Sequence, residues 1–308
     1  MELYTHLARA CGAATLLALI ACIAQGGPPP GGRDGAECAT QRPALRTMLD
    51  TEYEFGEKAL TSVRGAFLEY LDRDSWVLNP GPLPGRALYE ASKDSKDQLT
   101  WYPTIGDVAP SGDLGFTTGP WVYTVADSGK QLYGHFLSVW ARDAECRWRV
   151  KIDGGISHAA PASTEPKLLA DQPVLAQAEL PPPILLTQDA AGHAVGDFRD
   201  AAERDGLAAA LRTYGRNRDF LFYTNAQFPI SGVGPASAYL DAHAITGTWI
   251  EKARGRSNDS TLEYSVGVLA GRNAQTTHAY VQIWQYDPKV ANWGLRVLLV
   301  NPLPPAPH

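Results

Sequence analysis

Apolar residues recur at three- and four-residue steps through Phe55, Ala59, Val63, Ala66, Phe67 and Tyr70, with Glu54, Glu57, Lys58 and Glu69 off that stripe. This spacing predicts an amphipathic helix. Asn79-Pro-Gly-Pro-Leu-Pro-Gly85 then breaks the chain, and a short second helix is expected over 86–93. From Leu99 onward the pattern reads as strands, expected over 99–108, 114–126, 131–142 and 147–153. Ser111-Gly112, Asp127-Ser-Gly129 and Asp143-Ala-Glu145 separate them as hairpin turns. Trp148, Val150 and Ile152 alternate with Arg147, Arg149 and Lys151, which predicts one buried and one solvated face.

The same order returns later in the chain. A helix is expected over 194–212, a strand through Phe220-Leu-Phe-Tyr223, and a short helix over 235–243. Strands follow over 248–253, 262–270, 279–286 and 293–300, the last with Trp293, Leu295, Val297 and Leu299 as its inward set. Particular residues echo one another: Gly65-Ala-Phe-Leu in Gly206-Leu-Ala-Ala at an offset of 141, Trp101 in Trp249 at 148, and Phe136-Leu-Ser-Val-Trp140 in Tyr280-Val-Gln-Ile-Trp284 at 144. A repeat of this length is a domain, not one unit of a solenoid. The boundaries read as two domains at 45–155 and 190–303, an Ala/Pro linker at 156–189 and a tail at 304–308. A long helix, a short strand, a short helix and a four-stranded meander make an α+β unit. The expected fold is two tandem cone-shaped domains, each a curved antiparallel sheet covered by a long and a short helix. Pairing of the two domains through their sheets, or a homodimer, follows from the duplication.

Each half resembles the nuclear transport factor 2-like superfamily, in particular its SnoaL-like and ketosteroid-isomerase-like domains. The residues that carry the resemblance are Gly65-Ala-Phe-Leu, Leu99-Thr-Trp-Tyr-Pro103, Ser111-Gly-Asp-Leu-Gly115, Thr118-Gly-Pro-Trp121, Ser138-Val-Trp140 and Trp148. The second half departs from it, with Asp259-Ser-Thr-Leu-Glu263 in place of the Ser-Gly-Asp-Leu-Gly turn. The resemblance implies the fold and leaves the function open, because the family holds isomerases, dehydratases, cyclases and non-enzymatic modules.

The first 24 residues read as a signal peptide: a thin basic flank at His6 and Arg9, then an apolar run from Ala10 to Ala24 too short to span a bilayer. Leu19-Ile-Ala-Cys22 looks like a lipobox, in which Cys22 is lipidated; ordinary cleavage after Ala24 is the alternative. The Gly/Pro-rich stretch 25–44 is a tether. Cys38 and Cys146 remain as an even pair in an oxidising compartment, so a disulfide between them is expected, with two free thiols as the alternative. The expected location is periplasmic, anchored to the membrane by lipid alone.

A net charge of −6 and a pI near 5.6 argue against nucleic acid as a partner, since no excess of Lys and Arg exists to release counterions. Neither a metal site nor a cofactor is indicated, because no His, Cys or carboxylate group stands at ligand spacing. An isomerase of this fold needs a carboxylate base inside the cone, with oxyanion donors beside it. Among the acids only Asp107, on a strand, is a candidate, and His135 is the other; neither has a partner in the pattern. Aromatics are the remaining signal. Trp101, Tyr123, Phe136 and Trp140 in the first half, and Trp249, Tyr264, Tyr280 and Trp284 in the second, suit either core packing or the wall of an apolar ligand pocket. The expected function is therefore an exported envelope protein that binds a small apolar ligand or a protein partner without catalysis. The alternative is an isomerase, dehydratase or hydrolase acting on a hydrophobic carbonyl compound. Changing Cys22→Ser is expected to release the protein from the membrane fraction of its host; an unchanged membrane fraction on cell fractionation would remove the anchor from this picture.

Overall fold

The computed structural model describes residues 44–165, 167–168, 190–216, 219–271 and 275–304. The signal segment, the tether with Cys22 and Cys38, most of the linker and the last four residues lie outside them.

The first domain begins with α1 (Ala44–Ala59) and α2 (Val63–Tyr70). The single helix expected from the apolar stripe is thus two. The chain turns at Leu60-Thr61-Ser62, and Ser62 caps α2 by accepting the N–H of Gly65 on its hydroxyl at 2.8 Å. Then come β1 (Leu71–Leu78), β2 (Pro82–Pro84), α3 (Gly85–Ala91), β3 (Gln98–Trp101), β4 (Ile105–Val108), β5 (Leu114–Thr124), β6 (Gln131–Arg142) and β7 (Trp148–His158). The strand expected over 99–108 is two pieces. Both pair with β5, β3 against Trp121–Thr124 and β4 against Gly115–Thr118. Pro120, which has no N–H to give, sits between the two ladders.

The second domain repeats this order: α4 (Ala190–Asp205), α5 (Leu207–Tyr214), β8 (Leu221–Tyr223), β9 (Ile230–Ser231), α6 (Val233–Ala242), β10 (Thr248–Arg256), β11 (Leu262–Ala270), β12 (Thr276–Asp287) and β13 (Asn292–Pro302). Its long helix also breaks, at Gly206, whose φ of 92° favours glycine. Gly206 therefore answers Ser62, an offset of 144, and not Gly65 as the sequence echo implies.

Both sheets are mixed rather than purely antiparallel. Strand order is β2-β1-β7-β6-β5-β3 in one and β10-β11-β12-β13-β8-β9 in the other, with β1 parallel to β7 and β8 parallel to β13. The helices cover one face of each sheet. In the first domain Met48, Leu49, Phe55, Phe67 and Tyr70 pack with Trp140, Trp148 and Val150. In the second Phe198, Leu207 and Leu211 pack with Tyr280, Trp284 and Leu295.

The other faces of the two sheets pack against each other. Phe116, Leu137, Val139, Ile152 and Ile156 share one buried cluster with Tyr223, Val266, Val281, Ile283, Val297 and Leu299. The rim is hydrogen-bonded reciprocally. The N–H of Ser111 donates to Asp259 at 2.7 Å, and the N–H of Asn258 donates to Asp113 at 3.0 Å. Thr118 donates its one proton to the carbonyl of Phe136 at 2.5 Å, so Tyr223 must donate to the Thr118 oxygen, at 2.8 Å.

The closing strands correct one sequence expectation. A β-bulge at Lys151 shifts the register between Val139–Ile152 and Trp140–Val150. Trp148 and Val150 consequently face the helices, while Ile152 faces the other domain. Arg296 is the corresponding extra residue in β13: Trp293 and Leu295 face the helices, Val297 and Leu299 the interface. Neither expected inward set lies on a single face.

Val281 is fully buried between the sheets and Val290 is 68% exposed in a turn. Val281→Asp is expected to cost at least about 3 kcal/mol in urea unfolding, as an unpaired buried charge does, against under about 0.5 kcal/mol for Val290→Asp. Equal effects would mean that the sheet faces are not a shared core.

Candidate functional site

The bulge at Lys151 has a chemical consequence. It turns Asp153 to the helix face, opposite Ser138, whose hydroxyl donates to Oδ2 at 2.9 Å. Asp153 lies in the wall of a cavity of about 100 Å³ inside the first domain, with Trp101, Trp121, Phe136, Tyr89 and Asn79 among its lining. Among the described residues, Oδ1 of Asp153 has no hydrogen-bond partner. Burial pushes this carboxyl up to about 7, and the nearby charge of Glu52 adds to the rise, while the Ser138 bond opposes it. A half-protonated acid in an apolar cavity can give or take a proton near neutral pH.

Glu52 lies behind that wall. It is 1% exposed and sits on α1 in line with Met48, Phe55 and Ala59, at helical spacing. Trp101 Nε1 donates to its Oε1 at 2.6 Å, and Trp140 Nε1 and the Thr117 hydroxyl donate to Oε2 at 3.0 and 2.5 Å. Burial raises its pKa and these three donors oppose the rise. The carboxyl thereby fixes the ring of Trp101, which lines the cavity. Phe55 meets Trp101 edge-on at 4.9 Å and holds it from the other side.

Sequence reading missed both acids. Glu52 had a signal, since it stands on the apolar stripe once that stripe is extended back to Met48. Asp153 had none, because strict alternation put it with Lys151 on the solvent side.

The sequence candidates fall in several places. Trp101 and Phe136 line the cavity, and Tyr123 lies beside them, clustered with Trp121 and Phe136 and donating to Asp97 at 2.5 Å. Trp140 is fully buried as a core residue outside the cavity lining. Trp249, Tyr280 and Trp284 pack in the second core around Phe198, and Tyr280 accepts from Arg199 at 3.2 Å. Tyr264 faces the interface, not a cone.

Asp107 also faces the interface, where it accepts from Gln285 of the second domain at 3.0 Å; it is outside the cavity because β4 turns that side chain toward β12. His135 is buried on the face of β6 that carries Leu137 and Val139, away from the cavity, and both its ring nitrogens are occupied, by Glu165 at 2.7 Å and His158 at 2.8 Å. Burial lowers its pKa against the pull of Glu165. Neither residue reaches the cavity. Cys146 is disulfide-bonded, and Cys38, its expected partner, lies outside the described residues, as does Cys22.

The second domain differs at the matching positions. Phe198 meets Trp249, Trp284 and Tyr214 as Phe55 meets Trp101, Trp140 and Tyr70, so Val195 stands where Glu52 does. Leu298, opposite Gln282, stands where Asp153 does. Its buried acids lie elsewhere: Asp259 at the rim, and Glu263, paired across the ladder with Trp284 where the first domain has Gly115 against Trp140.

No family model and no curated relative matches the sequence. Solved structures of nuclear transport factor 2-like proteins do resemble it. One, of unknown function, from Shewanella oneidensis, has 14% identity and a TM-score of 0.31, covering 38% of this chain and 99% of its own. Another, from Salmonella enterica serovar Typhimurium, has 15% identity and a TM-score of 0.32, covering 40% and 96%. A third, with a cystatin-like fold, from Novosphingobium aromaticivorans, has 15% identity and a TM-score of 0.31, covering 38% and 82%.

Because the Asp153 carboxyl is raised in the folded protein, its contribution to stability is full below about pH 4 and is lost as pH rises through about 7. Asp153→Asn is expected to stabilise the protein at pH 8 by about 3 kcal/mol and to change little at pH 4. Urea unfolding at both pH values checks this; a variant no more stable at pH 8 than the parent would place the carboxyl in an ordinary solvated setting.

Proposed function

We propose that the first domain binds a small, largely apolar molecule in the cavity beside Asp153, as part of an exported envelope protein. The observation that carries this reading is the Asp153 oxygen without a partner among the described residues, in a wall made mostly of aromatic and aliphatic side chains with Asn79 beside them. Such a cavity, with one or two placed polar groups, is the usual form of a small-molecule site. Its size sets the scale of the ligand. An apolar cavity of about 150 Å³ accommodates benzene, so about 100 Å³ with an opening suits one ring or a short chain.

Export is supported by the apolar run before Cys22 and by the disulfide at Cys146, which belongs in an oxidising compartment.

A second reading draws on the same residue. With its carboxyl near 7 and an oxygen facing the cavity, Asp153 has the acidity of a general base for proton transfer next to a carbonyl. This is the alternative of an enzyme acting on a hydrophobic carbonyl compound, with Asp153 in the place that Asp107 and His135 do not fill.

One experiment separates the readings. A single-ring ketone such as acetophenone is titrated into labelled protein in D2O. Binding is expected at or below about 1 mM, with amide shifts at Asn79, Gly154 and Gly155 and at the indole of Trp101. Loss of the ketone's α-proton signal, abolished in Asp153→Asn, would establish proton transfer; binding with the signal intact would establish a binding protein. If those amides do not move, the cavity is not a site.

A further inference from the structure

The proposal here rests on the reading of the first-domain cavity as a ligand site, and concerns which ligands it takes. Rings from five aromatic residues contribute to the lining: Phe67, Tyr89, Trp101, Trp121 and Phe136. The one ionisable group with an open acceptor is Asp153. Among the described residues, no Lys, Arg or His lines the cavity. The groups facing Asp153 from the surrounding elements are Ser138 on β6, Glu52 behind the wall on α1, Tyr89 on α3 and Asn79 after β1.

The one ionisable carboxylate and the aromatic rings of this set favour a positive guest. Aromatic faces carry negative quadrupoles and attract ammonium groups, the more so where water is excluded. Asp153 offers a carboxylate oxygen. An anionic guest would meet that acid and, among the described residues, no cation. A neutral guest would leave the carboxylate uncompensated. We propose that the cavity selects a small organic cation, an alkyl- or arylammonium of about one ring, held between the aromatic side chains with its N–H groups on Asp153.

Binding of this kind is linked to protons. Near pH 7 the Asp153 carboxyl is about half protonated, and an ammonium ion binds the ionised form. Association therefore releases about half a proton at pH 7, and it weakens as pH falls toward 5, where the acid is neutral.

The test is calorimetric titration of the full chain with benzylamine, benzyl alcohol and benzoate at pH 8 and pH 5, and with benzylamine at pH 7 in two buffers of different ionisation enthalpy. Benzylamine is expected to bind at least about tenfold more tightly than benzyl alcohol at pH 8, with benzoate weakest. The preference should shrink at pH 5, and the heats in the two buffers should differ in the sense of proton release. Asp153→Asn, near-isosteric and checked for folding by circular dichroism, should bring the amine-to-alcohol ratio below about twofold. Benzyl alcohol binding as tightly as benzylamine would overturn the cation assignment and leave the cavity reading standing. No binding by any of the three would overturn both.

Discussion

Each sheet in this protein is apolar on both sides, and that doubled apolar surface governs the rest of the architecture. Three helices per domain cover one face. The other face, carrying Phe116, Leu137 and Val139 in one copy and Val266, Val281 and Ile283 in the other, has no element of its own domain above it among the described residues. Burial of such area is the dominant favourable term in folding, so the two copies cover each other. Duplication within one chain makes the contact independent of concentration, unlike an interface between separate subunits. The reciprocal Ser111–Asp259 and Asn258–Asp113 bonds then satisfy turn groups that the contact would otherwise desolvate.

A sheet used on both sides must assign its large residues to two faces, and the bulges at Lys151 and Arg296 do that. Before each bulge the closing strand feeds the helical core; after it the same alternation feeds the interface. The extra residues are both basic, and both are held by acids or rings. Lys151 pairs with Asp74 and Asp72, whereas Arg296 lies 5.6 Å from the ring of Phe116 and 3.3 Å from Asp219. The same device turns Asp153 into the first domain and Leu298 into the second. A structural need, the change of face, thereby places the one acid of the cavity.

The two domains then divide their roles. In the first, Glu52 gathers two indole N–H groups and a hydroxyl, which orders Trp101. In the second, Val195 and Leu298 fill the equivalent positions, and Trp249, Tyr280 and Trp284 close around Phe198 as a core. The lack of acids at these two positions in the second copy suits a domain whose main contribution is its sheet face. Keeping them in the other costs stability at neutral pH, a cost characteristic of functional sites.

What the sequence determined by itself is local and periodic. The three- and four-residue stripe gave helices, the hairpin turns at Asp127-Ser-Gly129 and Asp143-Ala-Glu145 delimited strands, and the span 131–142 matches β6 to the residue. The α+β class and the duplication also follow from order and spacing, because helix and strand periods are set by backbone geometry that each segment carries alone. The tertiary structure decided the faces. Alternation along a strand predicts a face only while the register holds, and the register of β7 and β13 is shifted by their neighbours. It also decided the fate of charge. Asp107, prominent in the sequence, is spent on Gln285 across the interface. Glu52 and Asp153, ordinary in the sequence, are desolvated because residues far along the chain, Thr117, Trp140 and Ser138, close around them. Desolvation is a property of the packed surroundings and not of the residue, and no local pattern records it.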